Sequence, residues 1–107
     1  MKRYRLNESG ARGWFVGDFP EAVIRTTEFE VCWQPNVAGH VDHRHYHKDV
    51  TELQLITRGS LEINGQVLVA GDIVLIEPGE ITQVKYLEDT DTVAVKFPSI
   101  PLDKHLV

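Results

Sequence analysis

Three histidines stand at alternate positions in Asp42-His43-Arg44-His45-Tyr46-His47, and a carboxylate, Glu52, follows five positions after the last. On a β-strand, residues i and i+2 point the same way, with Cα atoms about 6.5–7 Å apart. Two imidazoles so placed can turn their nitrogens onto one ion at about 2.0–2.1 Å each. All three cannot share it easily, because His43 and His47 lie about 13 Å apart on a straight strand. A turn at Lys48-Asp49 would return the chain antiparallel and set Glu52 beside the histidines. Glu52 opens the run Glu52-Leu53-Gln54-Leu55-Ile56-Thr57, an otherwise apolar strand in which a carboxylate is costly unless paired or metal-bound. Two neutral imidazoles and one carboxylate form the donor set of non-haem iron sites, which keep positions open for substrate or oxygen.

Such a set needs strands to carry it, and the rest of the chain reads as strands. Turn signals such as Gly17-Asp18, Pro35-Asn36, Asn64-Gly65, Gly71-Asp72 and Pro78-Gly79 divide it into short apolar or alternating runs. Period-two patterning puts Phe29, Val31 and Trp33 on one face, and Val93, Val95 and Phe97 on another inward face. Residues 60–69 read as a hairpin about Asn64-Gly65, a pair suited to the type I′ turn. The stretch from Asp72 to Ile76 is almost wholly apolar, as a strand buried on both faces would be. No window shows helical periodicity, so the expected fold is all-β, an antiparallel barrel or sandwich. Pro98 and Pro101 break the pattern, which leaves residues 98–107 as an extension packed on the surface or on a partner.

Bulk properties narrow the partners. A chain of 107 residues, 42% hydrophobic, makes one domain with a thin core, which a second subunit would help to cover. Eleven basic against sixteen acidic residues, net charge −5, argue against nucleic acid, which needs a basic patch. No run of eighteen apolar residues exists to span a membrane, and no apolar run follows the basic opening Met1-Lys2-Arg3 as in a signal peptide. The single Cys32 cannot form an internal disulfide, so a cytoplasmic location is expected.

The histidine segment resembles the first signature of the cupin superfamily, G-x5-H-x-H-x3,4-E-x6-G. Gly39, His45, His47, Glu52 and Gly59 fill every fixed position. The second signature, G-x5-P-x-G-x2-H-x3-N, is partly met: Gly71 and Gly79 match, Pro78 is displaced by one, Thr82 replaces the histidine and Tyr86 the asparagine. The two motifs occupy residues 39–59 and 71–86 of one domain, 1–107. The resemblance implies a jelly-roll β-barrel, commonly a homodimer, with His45, His47 and Glu52 as three of four usual metal ligands. The fourth is missing, since Thr82 is a poor ligand, and Glu80 is a substitute candidate.

Around that set, Gln54 shares the face of Glu52 and can orient its carboxylate or bind a ligand; Trp33 and Tyr86 are expected inward, and with Gln54 and Thr82 they are the expected substrate pocket. His43 and Glu80 are the available proton carriers. The leading functional expectation is a metal-dependent enzyme acting on a small polar metabolite, by dioxygenase, isomerase or lyase chemistry. Iron(II) or manganese(II) suits the donor set best, with nickel or zinc close behind. Two other functions compete with it. One is a metal-free sugar isomerase or epimerase with histidine as base, since His45-Tyr46-His47-Lys48 is similar to the His-x-His-Lys segment of nucleotide-sugar ketoisomerases of cupin fold. The other is a non-catalytic small-ligand-binding module.

Overall fold

At the Asn64-Gly65 turn both residues take positive φ, 50° and 84°, and the two strands they join, β6 (Ser60–Ile63) and β7 (Gln66–Val69), pair in register. The computed structural model describes residues 1–6 and 12–107. Among these there is no helix, so none long and apolar enough to cross a membrane.

The remaining strands are β1 (Trp14–Gly17), β2 (Ile24–Arg25), β3 (Glu30–Asn36), β4 (His45–Tyr46), β5 (Thr51–Arg58), β8 (Ile73–Ile76), β9 (Val84–Tyr86), β10 (Thr90–Phe97) and β11 (His105–Leu106). One six-stranded sheet runs β2-β1-β3-β10-β5-β8, a three-stranded sheet runs β7-β6-β9, and β11 pairs with β4. Between the two larger sheets sits the buried cluster Ile56, Leu61, Ile63, Val84 and Tyr86, with Leu68 and Val74 packed against it. Gly59, the last glycine of the first motif, takes φ 88°, and a Cβ there would run into the Asp89 carbonyl and Thr90, so only glycine lets β5 pass so close. The domain is all-β, as its turns and alternation predict, with the jelly-roll architecture that the resemblance implies.

Three details of the strands differ from the sequence-based expectation. In β3 the buried face carries Glu30 and Cys32, while Trp33, 39% exposed, faces outward. In β10 the buried face carries Thr90, Thr92 and Ala94, and Val93, Val95 and Phe97 point the other way. Both strands are amphipathic in the reverse sense: the interior at this end is a polar cavity, so the larger apolar side chains go to the outer face. Strand β8 pairs only with β5, and as an edge strand it leaves Ile73 at 67% and Leu75 at 54% exposure instead of burying both faces. The extension beyond Pro98 packs on the chain itself, with β11 laid against the histidine strand, His105 opposite Tyr46 and Leu106 opposite His45.

Candidate functional site

The inner face of the large sheet is built in two rows. Glu30, Lys96, Glu52 and Ile76 are neighbours across β3, β10, β5 and β8, and Cys32, Ala94, Gln54 and Val74 form the row beside them. From the opposite wall His45 is held by two backbone hydrogen bonds with Thr82, donating to its carbonyl at 3.0 Å and accepting from its amide at 2.9 Å. These elements enclose a cavity of about 380 Å³ whose lining includes His45, Glu52, Gln54, Thr82, Tyr86 and Lys96.

His47 and Glu52 are almost wholly buried, at 3% and 5% exposure. His47 Nδ1 lies 2.7 Å from the carbonyl oxygen of Asp103, and His45 Nδ1 lies 2.8 Å from that of His43. A carbonyl only accepts, so each Nδ1 carries its ring's proton, and a neutral ring presents a bare Nε2 lone pair. His47 Nε2 stands 3.2 Å from Glu52 Oε1, at ion-pair distance but without the alignment of a hydrogen bond, and has no hydrogen-bond partner among the described residues. Gln54 Nε2 donates to the other oxygen, Oε2, at 2.6 Å. The rings of His45 and His47 meet edge to face with centroids 5.2 Å apart.

Burial acts to raise the Glu52 carboxyl, but the His47 ring, the positive charge of Lys96 and the Gln54 amide together hold it below the ordinary carboxylate range. It is therefore ionised at neutral pH. Burial lowers the His45 imidazole, so this ring is neutral. Burial pushes the Tyr86 phenol up, which leaves it a neutral hydroxyl against the cavity. Burial also pushes the Cys32 thiol up to about 12, so the thiol is an inert filler behind Ala94.

His45 and Glu52 line the cavity, while His47 does not line it but stands 3.2 Å from Glu52, and two imidazoles with an ionised carboxylate are a donor set whose chemistry fits a cation. The spacing is looser than a bound ion imposes: among the described residues no group of three His, Cys, Asp or Glu is gathered tightly enough to hold one as it stands. Thr82 is buried beside His45 and serves it through its backbone.

The other candidate residues divide. Gln54, Thr82 and Tyr86 line the cavity. Trp33 lies outside it, for the reason of strand parity given above. His43 and Glu80 are exposed and line no part of it; Glu80 instead accepts the amide of Glu77 at 2.9 Å within the turn that precedes Thr82. Residues not singled out from sequence are Trp14 and Lys96 in the cavity wall and Asp103, whose carboxylate accepts the amides of Lys48, Asp49 and Val50 at 3.1, 2.8 and 3.0 Å. Lys96 had a signal, being the one charge in Val93-Ala94-Val95-Lys96-Phe97, legible once the parity of that strand is reversed. Asp103 had none, because its partners lie more than fifty residues away in the chain.

A jelly roll whose inner cavity is lined by His45 and Glu52 defines a class: the chain has the cupin fold, the double-stranded β-helix. Solved structures carry the same fold. An uncharacterised conserved protein with a double-stranded β-helix domain from Klebsiella pneumoniae is 21% identical, with 98% of this chain and 84% of that chain covered and a TM-score of 0.71. An RmlC-like cupin from Shewanella frigidimarina is 18% identical over 71% of each chain, TM-score 0.66. An oxalate decarboxylase from Bacillus subtilis is 14% identical over 77% of this chain and 25% of that one, TM-score 0.68. At such identities the likeness speaks for the fold alone. No protein-family model matches the sequence, and no curated protein matches it.

Proposed function

We propose that this cupin binds a divalent metal ion through His45, His47 and Glu52 and acts as an enzyme on a small polar metabolite admitted to the cavity. The observation that carries the proposal is the buried, unpartnered His47 Nε2, 3.2 Å from an ionised carboxylate oxygen. The carboxylate needs a positive partner in this buried site, either a proton on Nε2 or a metal ion between the two groups. A proton on a misaligned contact gains little, whereas a metal ion accepts from both groups. Iron(II) or manganese(II) suits two nitrogens and one oxygen, with nickel(II) or zinc(II) as further candidates. When bound, such an ion would supply Lewis acidity to a substrate carbonyl or hydroxyl oxygen.

The chain's own residues do the rest. Gln54 fixes the Glu52 carboxylate in one rotamer, and the Asp103 and His43 carbonyls fix the tautomers of His47 and His45. Trp14 and Tyr86 supply apolar wall that limits water around the ligand. Lys48, the last residue of the His-x-His-Lys segment, is exposed and lines no part of the cavity, which weakens the metal-free isomerase alternative. A buried Cys32 without a disulfide suits the reducing cytoplasm.

The test is elemental analysis of protein purified without a histidine tag, before and after anaerobic loading with Fe(II) or Mn(II). About one ion per chain is expected. Protein that stays empty after loading would overturn the proposal in favour of the metal-free alternatives.

We also propose a homodimer through the outer face of the large sheet. There Trp33, Val93, Leu55 and Ile73 form one row across β3, β10, β5 and β8, and Val31, Val95, Leu53 and Leu75 form the next. Eight apolar side chains with no charge among them make a patch of the kind that monomers rarely leave in water, and a second copy of the same face meets it without unpaired charge. Leu55→Lys should convert the dimer to monomer in sedimentation or size-exclusion runs; wild type that runs as a monomer at high micromolar concentration would refute the interface.

A further inference from the structure

Lys96 sits on the inner face of β10, directly between Glu30 of β3 and Glu52 of β5. That register would let it serve merely as their counter-charge. It forms no ion pair with either: among the described residues no carboxylate comes within 4.0 Å of its ammonium group, although its charge helps to keep Glu52 ionised. Both neighbours are satisfied elsewhere. Glu30 accepts from Ser99 Oγ at 3.0 Å, and Glu52 accepts from Gln54 while its other oxygen faces His47. Lys96 Nζ instead stands 4.7 Å over the ring of Trp14. The ring face attracts the charge but takes few hydrogen bonds, so the three N–H donors of the ammonium group stay available to the cavity. An unpaired cation held in place at the wall of a cavity is a prepared anion site.

We infer that Lys96 binds a carboxylate group of the ligand, and that the substrates of this protein are small carboxylate anions. The assignment of a substrate class rests on the metal-site reading, because the anion would be shared between Lys96 and the ion's open positions; the role of Lys96 as anion binder does not. A cavity of about 380 Å³ is at the lower end of ligand pockets, which run from about 300 to 1,000 Å³, and suits a metabolite of a few carbons. Gln54 also lines the cavity, paired with Ala94 two register positions from the Lys96–Glu52 pair and so on the same face of the sheet. Arg12 and Lys104 also line the cavity, where with Lys96 they balance the carboxylates of Glu30, Asp42 and Glu52.

Trp14 makes the test optical. In a Trp33→Phe background it is the sole tryptophan, so a ligand on Lys96 changes its emission. The probe is malonate, titrated into metal-loaded and chelator-treated protein, with malonamide as the neutral control. Malonate should bind in both states, more tightly with metal, and malonamide should bind weakly in either. Lys96→Met should lose about tenfold or more in malonate affinity in both states, as the loss of a charge-assisted hydrogen bond implies, and Lys96→Arg should recover most of it. Metal content is measured on the same samples, because Lys96 also helps to keep Glu52 ionised, and the chelator-treated arm separates loss of the anion contact from failure of the metal site. If no metal is held by any form, the metal-free arm alone decides. Unchanged malonate affinity in Lys96→Met, no malonate response in either state, or inorganic phosphate binding in place of malonate would each overturn the inference.

Discussion

His47→Ala should yield a folded protein that retains no metal under conditions in which the wild type is loaded. Loss of a partner that merely orients a ligand costs about 10–100-fold in metal affinity, and loss of one of only three ligands must cost more. His47 is the most sensitive of the three, because its Nε2 is buried and has nothing else to bind, and its Nδ1 is already committed to Asp103. Truncation also leaves the Asp103 carbonyl without its donor, at about 1–3 kcal/mol, so some loss of stability is expected beside the loss of metal. Glu52→Gln separates the two effects. The amide keeps the shape and can still pair with Gln54, but it removes the charge and a good ligand, so metal should disappear while the melting temperature holds or rises. Near-stoichiometric metal in both variants would place the ion elsewhere.

Asp103→Ala should produce a large loss of stability, and should weaken the site from a distance. The Asp103 carboxylate is buried, and it gathers the amides of Lys48, Asp49 and Val50, with the His105 ring at 3.0 Å. That cluster closes the turn between His47 and Glu52, and the carbonyl of the same residue orients His47. Alanine strands the amide donors, which at about 1–3 kcal/mol for a buried one gives a loss of roughly 2–4 kcal/mol and a fall in melting temperature of more than about 10 °C. Metal affinity should fall about 10–100-fold as His47 loosens. The pH dependence carries its own signature. Burial acts to raise the Asp103 carboxyl, but the amides of Asp49, Lys48 and Val50 and the His105 ring outweigh it and bring it down to about 2. A folded value below the ordinary 3.8 means that its stabilisation is fully present above that value and is lost as the pH falls through the window toward 2. Urea midpoints of wild type at pH 5 and pH 2.5 should therefore differ more than those of Asp103→Ala. Equal differences would mean that the carboxylate is not what holds the extension down.

Much of the site was legible in the chain because its determinants are local. His45 and His47 are two apart, Glu52 is one tight turn away, and the alternation of a strand puts like-numbered residues on one face whatever else the fold does. The hairpin about Asn64-Gly65 was legible for the same reason, since positive φ at both positions is a property of the residues themselves. The all-β class followed from turn spacing. What alternation leaves undetermined is which of the two faces is inside. In β3 and β10 both faces carry apolar residues, and the choice fell to the neighbours: the partners of Val93 are Trp33 and Leu55, those of Lys96 are Glu30 and Glu52, and the sheet turns the charged row toward the cavity and the aliphatic rows outward. That decision moved Trp33 out of the site and brought Lys96 in. His43 and Glu80, whose residue types suit proton transfer, lie outside both strands and face solvent. Asp103 belongs wholly to the tertiary level, since a carboxylate that caps amides more than fifty residues away leaves no periodic or local trace. Short-range spacing determined which atoms can meet an ion; long-range strand pairing decided what surrounds it, because the inward face of a strand is chosen by the strands beside it.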